Sequence, residues 1–443
     1  MSQSLPKPKT PSGGFRRIAI IGAGYVGLPT AALLSHFGHS VIVAERDQRK
    51  LDILRDGRSP IFEKDLEEYL RAGVSAKKLT FSDSAAEAVK DAEFVFLCVP
   101  TPQGDDGSAD LSYIVAAAQE IGPHLIQDAI VVNKSTVPVG TAHLVERETG
   151  RDDIRVVSNP EFLREGTALA DSLAPDRIVV GADDQEAAAA VAALFSPTHA
   201  PVVVTDATTA ETIKYASNAF LATKLSFINA IAGLAEAVGA DVKDIVLGLG
   251  YDKRIGFEFL KPGPGWGGSC LPKDTSALVK IGEDHGYDFA LLRGAIASNE
   301  AQLERIVDKV LAAVDGKIAG AAVAVWGLTF KAGTDDRRAS PALDICQRLV
   351  AKGAKVTAFD PEVPPANAGA DDLRGITLAT DSYEAVRDAQ VVVLLTEWAE
   401  FRWLDFSKVA DLMQSRVIVD ARNHLDPAPL KRLGFIYQGV GRT

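Results

Sequence analysis

The sequence is poor in cysteine, in blocks of basic charge and in long apolar runs. Three cysteines in 443 residues give no disulfide framework and are typical of a reducing compartment, so we expect a cytoplasmic protein. A net charge of −12 without a strongly basic block argues against nucleic acid as the main partner. No stretch comes near the roughly 20 consecutive apolar residues of a membrane span. The first residues predict a flexible tail, 1–14, and not a signal peptide.

The cysteines divide into two buried candidates and one reactive candidate. Cys98 lies in an apolar run, and Cys346 shares the apolar face of a predicted helix, so both are expected to be buried and inert. Cys270 lies instead in a glycine-rich stretch, with Lys273 and Asp274 close behind it. A cysteine near a cation, where glycine lets a ligand approach the backbone, has the surroundings of a nucleophile.

One glycine pattern near the start indicates a dinucleotide site. An apolar strand runs into Gly22-x-Gly24-x-x-Gly27, which opens a helix, and the next strand ends at Glu45, where a ribose-binding acid is expected. Gly22 permits the tight turn, Gly24 lets a pyrophosphate approach the backbone, and Gly27 lets helix and strand pack closely. The helix N-terminus then faces the phosphates. The alternative interpretation is an ordinary turn between a strand and a helix.

Strands alternating with helices predict a parallel sheet covered on both faces. Ligands bind beyond the carboxyl ends of such strands, so polar loops at these ends are candidate components of a site. The further predicted strands are Glu93–Val99, Ala129–Asn133, Val156–Ser158 and Ile178–Gly181. The polar loops that follow three of them span 100–102, 134–138 and 159–165.

A long helix is predicted from Thr208 to Val238, opened by a capping box that pairs Thr208 with Glu211. A helix of about 45 Å more often links domains or forms a dimer contact than stands alone. Lys214 and Asn218 are one helical turn apart and share a face, either as site residues or as solvated side chains.

A second α/β unit begins with the apolar strand 321–327, but its glycine pattern is incomplete and predicts no second dinucleotide site. The loop 329–338 follows this strand and carries three cations, which would bind an anionic ligand or lie in solvent. The fold class predicted for the chain is therefore α/β, with two Rossmann-like doubly wound parallel-sheet domains joined by a long central helix.

Five ordered motifs resemble those of the UDP-glucose/GDP-mannose dehydrogenase family, and the resemblance extends over nearly the whole chain. The motifs are Gly22–Gly27, Ser135–Gly140, Asn159–Gly166, Lys214–Asn218 and Gly267–Asp274. The resemblance implies an NAD-binding domain at 15–205, a helical dimerisation region at 206–300 and a UDP-sugar-binding domain at 301–443.

The family's reaction explains why a dinucleotide fold and a nucleophilic cysteine occur together. A primary alcohol at C6 of the sugar is oxidised to an acid, and two NAD are consumed. A second hydride cannot leave until a nucleophile has added to the aldehyde. By resemblance, Cys270 adds to give a thiohemiacetal, and its oxidation yields a thioester that water hydrolyses.

The resemblance also implies roles for individual residues, and none of them is a metal ligand. The implied catalytic residues are Cys270 as nucleophile, Lys214 and Asn218 as stabilisers of charge on oxygen, Asp274 and Thr136 as holders of water, and Glu161 as general base. The implied NAD contacts are Gly22, Gly24, Tyr25, Val26, Gly27, Glu45, Lys50, Thr101, Ser135, Thr136, Glu165, Lys273 and Arg338. The implied substrate contacts are Glu161, Phe162, Leu163, Arg164, Glu165, Lys214, Asn218, Arg254, Phe259, Leu260, Lys261, Pro262, Gly263, Gly267 and Lys331.

The residues around the cysteine favour UDP-glucose as substrate. Relatives that act on N-acetylated sugars have histidine before the cysteine and Pro-Val-Asp after it, whereas this chain has Ser269 and then Pro-Lys-Asp. The run 252–256 resembles the Asp-x-Arg-Ile-Gly of UDP-glucose dehydrogenases. The alternatives are dTDP-glucose, GDP-mannose or a UDP-N-acetylhexosamine, a single-step hydroxyacid-type dehydrogenase, and a non-catalytic binder. Trp266 and Ala230 depart from the residues usual in relatives.

A homodimer is expected, with Arg254 acting on the substrate of the partner subunit. The apolar faces of the long helix predict burial against another helix. In the family, the matching arginine contacts substrate bound to the neighbouring chain. The alternative is a surface arginine without a role in the site.

Overall fold

The computed structural model describes residues 14–104 and 106–442, so the predicted tail lies outside the described residues apart from Gly14. These residues form two compact units, and the boundary falls between Ser217 and Asn218, inside one long helix. Each unit is built on its own sheet, which confirms the predicted fold class.

The first unit has eight strands within the described ranges. They are β1 (Arg17–Ile21), β2 (Ser40–Ala44), β3 (Leu79–Ser82), β4 (Phe94–Leu97), β5 (Ile130–Asn133), β6 (Arg155–Ser158), β7 (Ile178–Gly181) and β8 (Val202–Thr205). Their order is β3-β2-β1-β4-β5-β6-β7-β8. The strand order reverses between β1 and β4, which is where doubly wound sheets bind ligands.

Helices cover both faces of this sheet, because the central strands are apolar on both sides. They are α1 (Gly27–His36), α2 (Gln48–Arg55), α3 (Leu66–Ser75), α4 (Ala85–Val89), α5 (Ser112–Ile121), α6 (Thr141–Thr149), α7 (Ala168–Leu173) and α8 (Gln185–Leu194). Short 3₁₀ turns lie at Gly122–His124 and Ser196–Thr198.

One strand departs from the prediction of a parallel sheet. β7 was expected to be parallel, but it pairs antiparallel with β6 through Ser158 and Gly181. β8 then runs parallel to β7 at the edge of the sheet. Antiparallel strands at the edge of a mostly parallel sheet are common in large α/β folds.

The long helix α9 spans Ala207–Val238, close to the predicted bounds. The predicted capping box is wrong, because Asp206 provides the cap by accepting from the Thr209 N–H at 2.8 Å, while Glu211 bonds elsewhere. Among the described residues, α9 is the one helix that is long and apolar enough to cross a membrane, by length and composition alone. Length and composition are weak evidence for a membrane span, because core helices of soluble proteins meet the same criteria.

The second unit continues from α9 with two layers of helices around a six-stranded parallel sheet of order β11-β10-β9-β12-β13-β14. The strands are β9 (Ala322–Trp326), β10 (Lys355–Phe359), β11 (Ile376–Leu378), β12 (Val391–Leu394), β13 (Val417–Asp420) and β14 (Ile436–Gly439). The helices are α10 (Val242–Gly250), α11 (Leu271–Asp284), α12 (Ala290–Ala313), α13 (Pro341–Ala351), α14 (Ser382–Ala385), α15 (Phe406–Leu412) and α16 (Pro427–Arg432). Short 3₁₀ turns lie at Pro365–Asn367, Asp371–Leu373 and Ala399–Trp403.

Candidate active site

In the turn between β1 and α1, each of the three glycines has a different physical role. Gly22 has φ +106°, and a Cβ there would lie 2.5 Å from the carbonyl oxygen of Cys98. A Cβ on Gly27 would lie 1.9 Å from the Gly22 oxygen, so helix and strand pack too closely for any side chain. A Cβ on Gly24 would meet nothing within 4 Å, which leaves its backbone open to a ligand. This open backbone at the start of α1, beside Tyr25 and Val26, fits a dinucleotide pyrophosphate.

Glu45 lies directly after β2, at the same edge of the sheet. Its carboxylate accepts from the N–H of Ala23 at 3.2 Å and lies 3.9 Å from the ammonium group of Lys50. The neighbouring Arg46 forms an ion pair with Glu120. Glu45 is therefore held beside the glycine turn, where a carboxylate that binds the ribose hydroxyls is expected. The neighbouring Arg46 is paired with Glu120 instead.

The loops after β4 and β5 are joined at the carboxyl edge of the sheet. Thr101 donates its hydroxyl to the carbonyl oxygen of Thr136 at 2.9 Å. Ser135 donates to the carbonyl oxygen of Val99 at 2.7 Å. The structure thus brings together the predicted cofactor contacts of the two loops.

The loop after β6 lines a cavity of about 120 Å³, and one of its lining residues, Glu161, belongs to a buried ion pair. The Lys214 Nζ lies 2.8 Å from Glu161 Oε1, and both residues are buried. Lys134 reaches the same cavity and donates to Asn159 at 3.1 Å. The solvated-face alternative for Lys214 is therefore wrong.

The charges around Glu161 decide its ionisation. Burial alone would raise the pKa of Glu161, but the ammonium groups of Lys214 and Lys134 and the N–H of Leu163 hold it below its ordinary value. Burial lowers the pKa of Lys134. Glu161 is therefore an ionised carboxylate at neutral pH, able to accept a proton.

Other contacts hold the remainder of this loop. Glu63 is buried and accepts from the N–H groups of Gly166 at 2.9 Å and Leu169 at 3.4 Å. Arg164 forms an ion pair with Asp171 at 2.5 Å. Sequence reasoning missed Glu63, because a contact across about a hundred residues leaves no local pattern. Phe162, Leu163 and Arg164 line the cavity, and Glu165 lies in the same loop.

In the second unit, Cys270 is the residue that directly precedes α11. The positive end of a helix favours negative charge on a sulfur atom placed there. Cys98 and Cys346 are both buried, as predicted, and burial raises the pKa of each thiol to about 12, which disfavours the reactive thiolate. Cys270 is partly exposed. The helix start is a feature that the glycine-rich sequence did not reveal.

Two predicted catalytic side chains of this unit are bonded to each other. The amide of Asn218 donates to Asp274 Oδ2 at 2.5 Å, and both residues are buried. The second carboxylate oxygen of Asp274 accepts from Lys273 Nζ at 2.6 Å. Lys273, the cation that the sequence suggested for the cysteine, is therefore paired with Asp274.

The glycine-rich loop before the cysteine is held by buried side chains. Asn229 of α9 accepts from the N–H of Gly263 at 2.8 Å, and Gln302 of α12 donates to its carbonyl oxygen at 2.8 Å. A Cβ on Gly267 would lie 2.0 Å from the Ala339 oxygen. Phe259 has φ +60°, an uncommon conformation for a bulky side chain that marks a constrained loop.

A cavity of about 980 Å³ lies beside this loop, within the second unit. Leu260, Lys261 and Pro262 line it, together with Trp403 and Arg422. Arg422 donates to the Phe330 carbonyl oxygen at 3.0 Å, and its Nη1 would lie 3.4 Å from a Cβ on Gly263. Sequence reasoning missed Arg422. Its position just after β13 would have indicated it, by the rule that ligands bind at carboxyl edges.

Three predicted cations of this unit differ in their surroundings. Lys331 lies over the Phe330 ring at 5.3 Å. Arg338 and Arg254 form ion pairs with Asp336 at 2.7 Å and Asp252 at 2.6 Å, and the Arg254 side chain is 88% exposed.

The two departures from the family pattern also have defined surroundings. Trp266 is buried and donates its indole N–H to Ser226 at 2.8 Å. Ala230 is exposed on α9, and nothing in the structure explains the substitution.

Three family models match the chain. They describe the UDP-glucose/GDP-mannose dehydrogenase family's NAD binding domain at 16–199, its central domain at 208–301 and its UDP binding domain at 324–427. The chain belongs to this family. Its dinucleotide turn lies in the NAD binding domain, which confirms NAD as the expected cofactor. Cys270 lies in the family's central domain, and Arg422 lies in the UDP binding domain.

Individual relatives cover nearly the full length. The family member from Pseudomonas aeruginosa named UDP-glucose 6-dehydrogenase is 45% identical, over 96% of this chain and 97% of that protein. A solved UDP-glucose dehydrogenase from Pyrobaculum islandicum superposes with a TM-score of 0.89 at 36% identity, covering 98% of this chain and 100% of that one. A UDP-D-ManNAc dehydrogenase from Pyrococcus horikoshii gives a TM-score of 0.85 at 29% identity, covering 96% and 99%.

Proposed function

We propose that this chain catalyses the NAD-dependent four-electron oxidation of the C6 alcohol of UDP-glucose to UDP-glucuronate, as a UDP-glucose 6-dehydrogenase. The observation that carries the proposal is Cys270 at the start of α11, in the unit that also holds the buried Asn218–Asp274 pair. A chain that only removed one hydride would need no nucleophile of this kind. NAD, when bound, supplies the hydride acceptor for both oxidations.

Cys270 forms and later loses the covalent bond to substrate. Its sulfur adds to the aldehyde carbon, which makes a C–S bond, and the carbonyl oxygen takes up a proton to give a thiohemiacetal. Loss of a hydride from that carbon and of the hydroxyl proton gives a thioester. Water then adds, the C–S bond breaks and the carboxylate product leaves, which returns the cysteine.

The other catalytic residues act on protons and on charge at oxygen. Lys214 and the remaining N–H of the Asn218 amide stabilise negative charge on the sugar oxygen. Glu161, kept ionised by its lysine neighbours, accepts a proton from the hydrolytic water. Thr136 and Asp274 hold that water.

The remaining contacts divide between cofactor and substrate as the resemblance implies. The NAD contacts are the glycine turn 22–27 with Tyr25 and Val26, then Glu45, Lys50, Thr101, Ser135, Thr136, Glu165, Lys273 and Arg338. The substrate contacts are 161–165, Lys214, Asn218, Arg254, 259–263, Gly267 and Lys331. We assign NAD binding to 15–205, dimerisation to 206–300 and UDP-sugar binding to 301–443.

We further propose a cytoplasmic homodimer formed through α9. Four large apolar side chains of α9 are exposed: Phe220, Phe227, Leu234 and Val238. Their spacing places them along one stripe of the helix, and such a stripe is normally buried against another helix. Arg254 lies in the exposed turn after α10, from which it would reach substrate in the partner subunit.

The stoichiometry of NADH tests this function. Limiting UDP-glucose with excess NAD should give two NADH for each sugar nucleotide consumed, with UDP-glucuronate as the product. A value of one would support a single-step dehydrogenase instead. If the wild-type enzyme oxidised dTDP-glucose, GDP-mannose or a UDP-N-acetylhexosamine faster than UDP-glucose, the proposed substrate would be wrong. The proposed covalent reaction would still stand.

A further inference from the structure

We propose that Glu211 is a positioning residue that fixes the three catalytic segments of the first unit relative to one another. The segments are the loop that carries Thr136, the loop that carries Glu161 and the part of α9 that carries Lys214. The inference rests on the proposed function, because it concerns the geometry of that reaction.

Both carboxylate oxygens of Glu211 accept hydrogen bonds. Oε2 accepts from the N–H of Gly140 at 2.7 Å, and Oε1 accepts from the N–H of Ala142 at 2.9 Å. Oε1 also accepts from the hydroxyl of Ser158 at 3.0 Å. Glu211 and Ser158 are both at least 98% buried. The carboxylate therefore binds the first turn of α6 and the last residue of β6 at once.

Each of these partners adjoins a catalytic residue. Gly140 closes the loop that begins with Ser135 and Thr136, and Ser158 directly precedes the loop that carries Glu161. Glu211 itself lies one helical turn before Lys214 on α9. Loss of the Glu211 contacts would therefore let the segments that carry Thr136, Glu161 and Lys214 shift relative to one another.

The chemistry of the contact makes it rigid. A carboxylate at a helix N-terminus is stabilised by the helix dipole and by N–H groups that have no partner within the helix. Charge-assisted hydrogen bonds of this kind are about twice as strong as neutral ones. Burial raises the pKa of Glu211, while the three donors and His143 oppose that rise. Because all three hydrogen-bond partners of the Glu211 carboxyl group are donors, they fit its ionised form.

A simple helix cap would stabilise the fold without affecting the reaction, so a matched cap serves as control. Asp184 accepts from the N–H groups of Glu186 and Ala187 at the start of α8, in the same unit. It also pairs with Arg155 at 2.5 Å, three residues before Ser158, but its contacts include no residue of the three catalytic segments. Asp184→Ala should lower the melting temperature and leave kcat unchanged. Glu211→Ala should lower both, with kcat falling about 100-fold, because small misplacements of catalytic groups cost that much.

The conservative variant separates positioning from folding. Glu211→Gln keeps one acceptor oxygen for Ala142 and Ser158 but turns an N–H towards Gly140, so kcat should recover about tenfold relative to Glu211→Ala. Because Ser135, Thr136 and Glu165 lie in the displaced loops and are proposed NAD contacts, the KM for NAD should rise in both variants alongside the loss of kcat. Wild-type kcat in a folded Glu211→Ala enzyme would overturn the inference, as would a loss confined to KM.

Amide hydrogen exchange gives a readout that does not depend on turnover. In unliganded Glu211→Gln, protection should fall in both 135–142 and 158–166, and in Asp184→Ala it should not. A fall confined to the first turn of α9 would refute the positioning role. If the wild-type protein did not oxidise UDP-glucose, the proposed function would be wrong. The hydrogen-exchange result would still decide whether Glu211 joins the three segments.

Discussion

Asn218 donates its side-chain amide to Asp274 Oδ2 at 2.5 Å, and the other oxygen of that carboxylate binds Lys273. The bond fixes which way the Asn218 amide points, because a carboxylate accepts only from the nitrogen end. One amide N–H is used in this contact, and an amide has two. The second N–H is thereby oriented as a donor for an oxyanion, which is the role proposed for Asn218.

Asp274→Asn should therefore reduce kcat. Asn218 and Lys273 bind different oxygens of Asp274, and asparagine has an NH2 group in place of one of them. When the remaining oxygen binds the charged Lys273, the Asn218 amide loses its fixed orientation as an oxyanion donor. We expect kcat to fall by about 10²–10³, the usual cost of a lost oxyanion donor. Steady-state kinetics would measure this. Asp284→Asn, which breaks the exposed Lys280 pair at the other end of α11, is the control. Equal kcat in the two variants would contradict the role.

Cys270→Ser should block acid formation by orders of magnitude, because serine is a poorer nucleophile and its ester a poorer acyl donor. NAD binding should remain intact. NADH release and product analysis by mass spectrometry would measure the loss. Cys346→Ala is the matched control, since that thiol is buried and inert. Near wild-type turnover in Cys270→Ser would exclude the covalent mechanism.

The sequence predicts those parts of the fold and site that rest on local patterns. The glycine turn and the alternation of strands and helices follow from spacing, and the two inert cysteines follow from their apolar neighbours. Contacts between distant segments leave no such pattern. The spacing of Glu211 therefore predicts a cap of its own helix, although Glu211 binds α6 and Ser158, and no sequence pattern indicates Glu63.

The direction of β7 and the position of Cys270 at a helix start could not be predicted from the sequence either. The reversal of β7 is decided by pairing with β6, which hydrophobic content does not encode. Cys270 lies at the start of α11, after a glycine-rich loop whose Gly263 is held by Asn229 and Gln302, 34 and 39 residues away in the sequence.

Cofactor choice follows from Glu45 and the Arg46–Glu120 pair. Glu45 should repel the 2′-phosphate of NADP, so kcat/KM for NAD should exceed that for NADP at least about tenfold, or roughly 1.4 kcal/mol. Glu120→Gln removes the partner of Arg46 and should narrow this ratio. Glu148→Gln, which alters an exposed contact of Gln119, should leave it unchanged. Equal kcat/KM for both cofactors in the wild type would count against this assignment.

The buried Glu161–Lys214 pair predicts a pH dependence of stability. The folded-state pKa of Glu161 lies below its ordinary 4.5. The stabilisation from its ionised form is therefore complete above pH 4.5 and is lost as pH falls through the lowered pKa. Glu161→Gln should cost about 3–5 kcal/mol at neutral pH, because Lys214 is left buried without its partner. The stability difference between wild type and Glu161→Gln should shrink in acid.

Thermal unfolding across this pH range would measure that difference. Glu87→Gln breaks an exposed pair with Lys90 and should cost little. A difference between wild type and Glu161→Gln that stays constant from neutral pH down into the acid range would argue against the lowered pKa.

The proposed sharing of the active site across a dimer makes the sharpest prediction. Among the described residues of the isolated chain, Arg254 pairs with its near neighbour Asp252, and its side chain is almost fully exposed. Arg254→Ala should therefore leave the fold intact while greatly reducing turnover of UDP-glucose. Mixing it with inactive Cys270→Ser chains tests whether the arginine acts in the partner subunit. A heterodimer would then contain one site with both defects and one with neither, so activity should return to about half of the wild-type value per dimer. Lys253→Ala, one residue earlier in the same turn, serves as the control for a surface cation. If confirmed subunit exchange restores no activity, Arg254 acts within its own chain or has no role in catalysis.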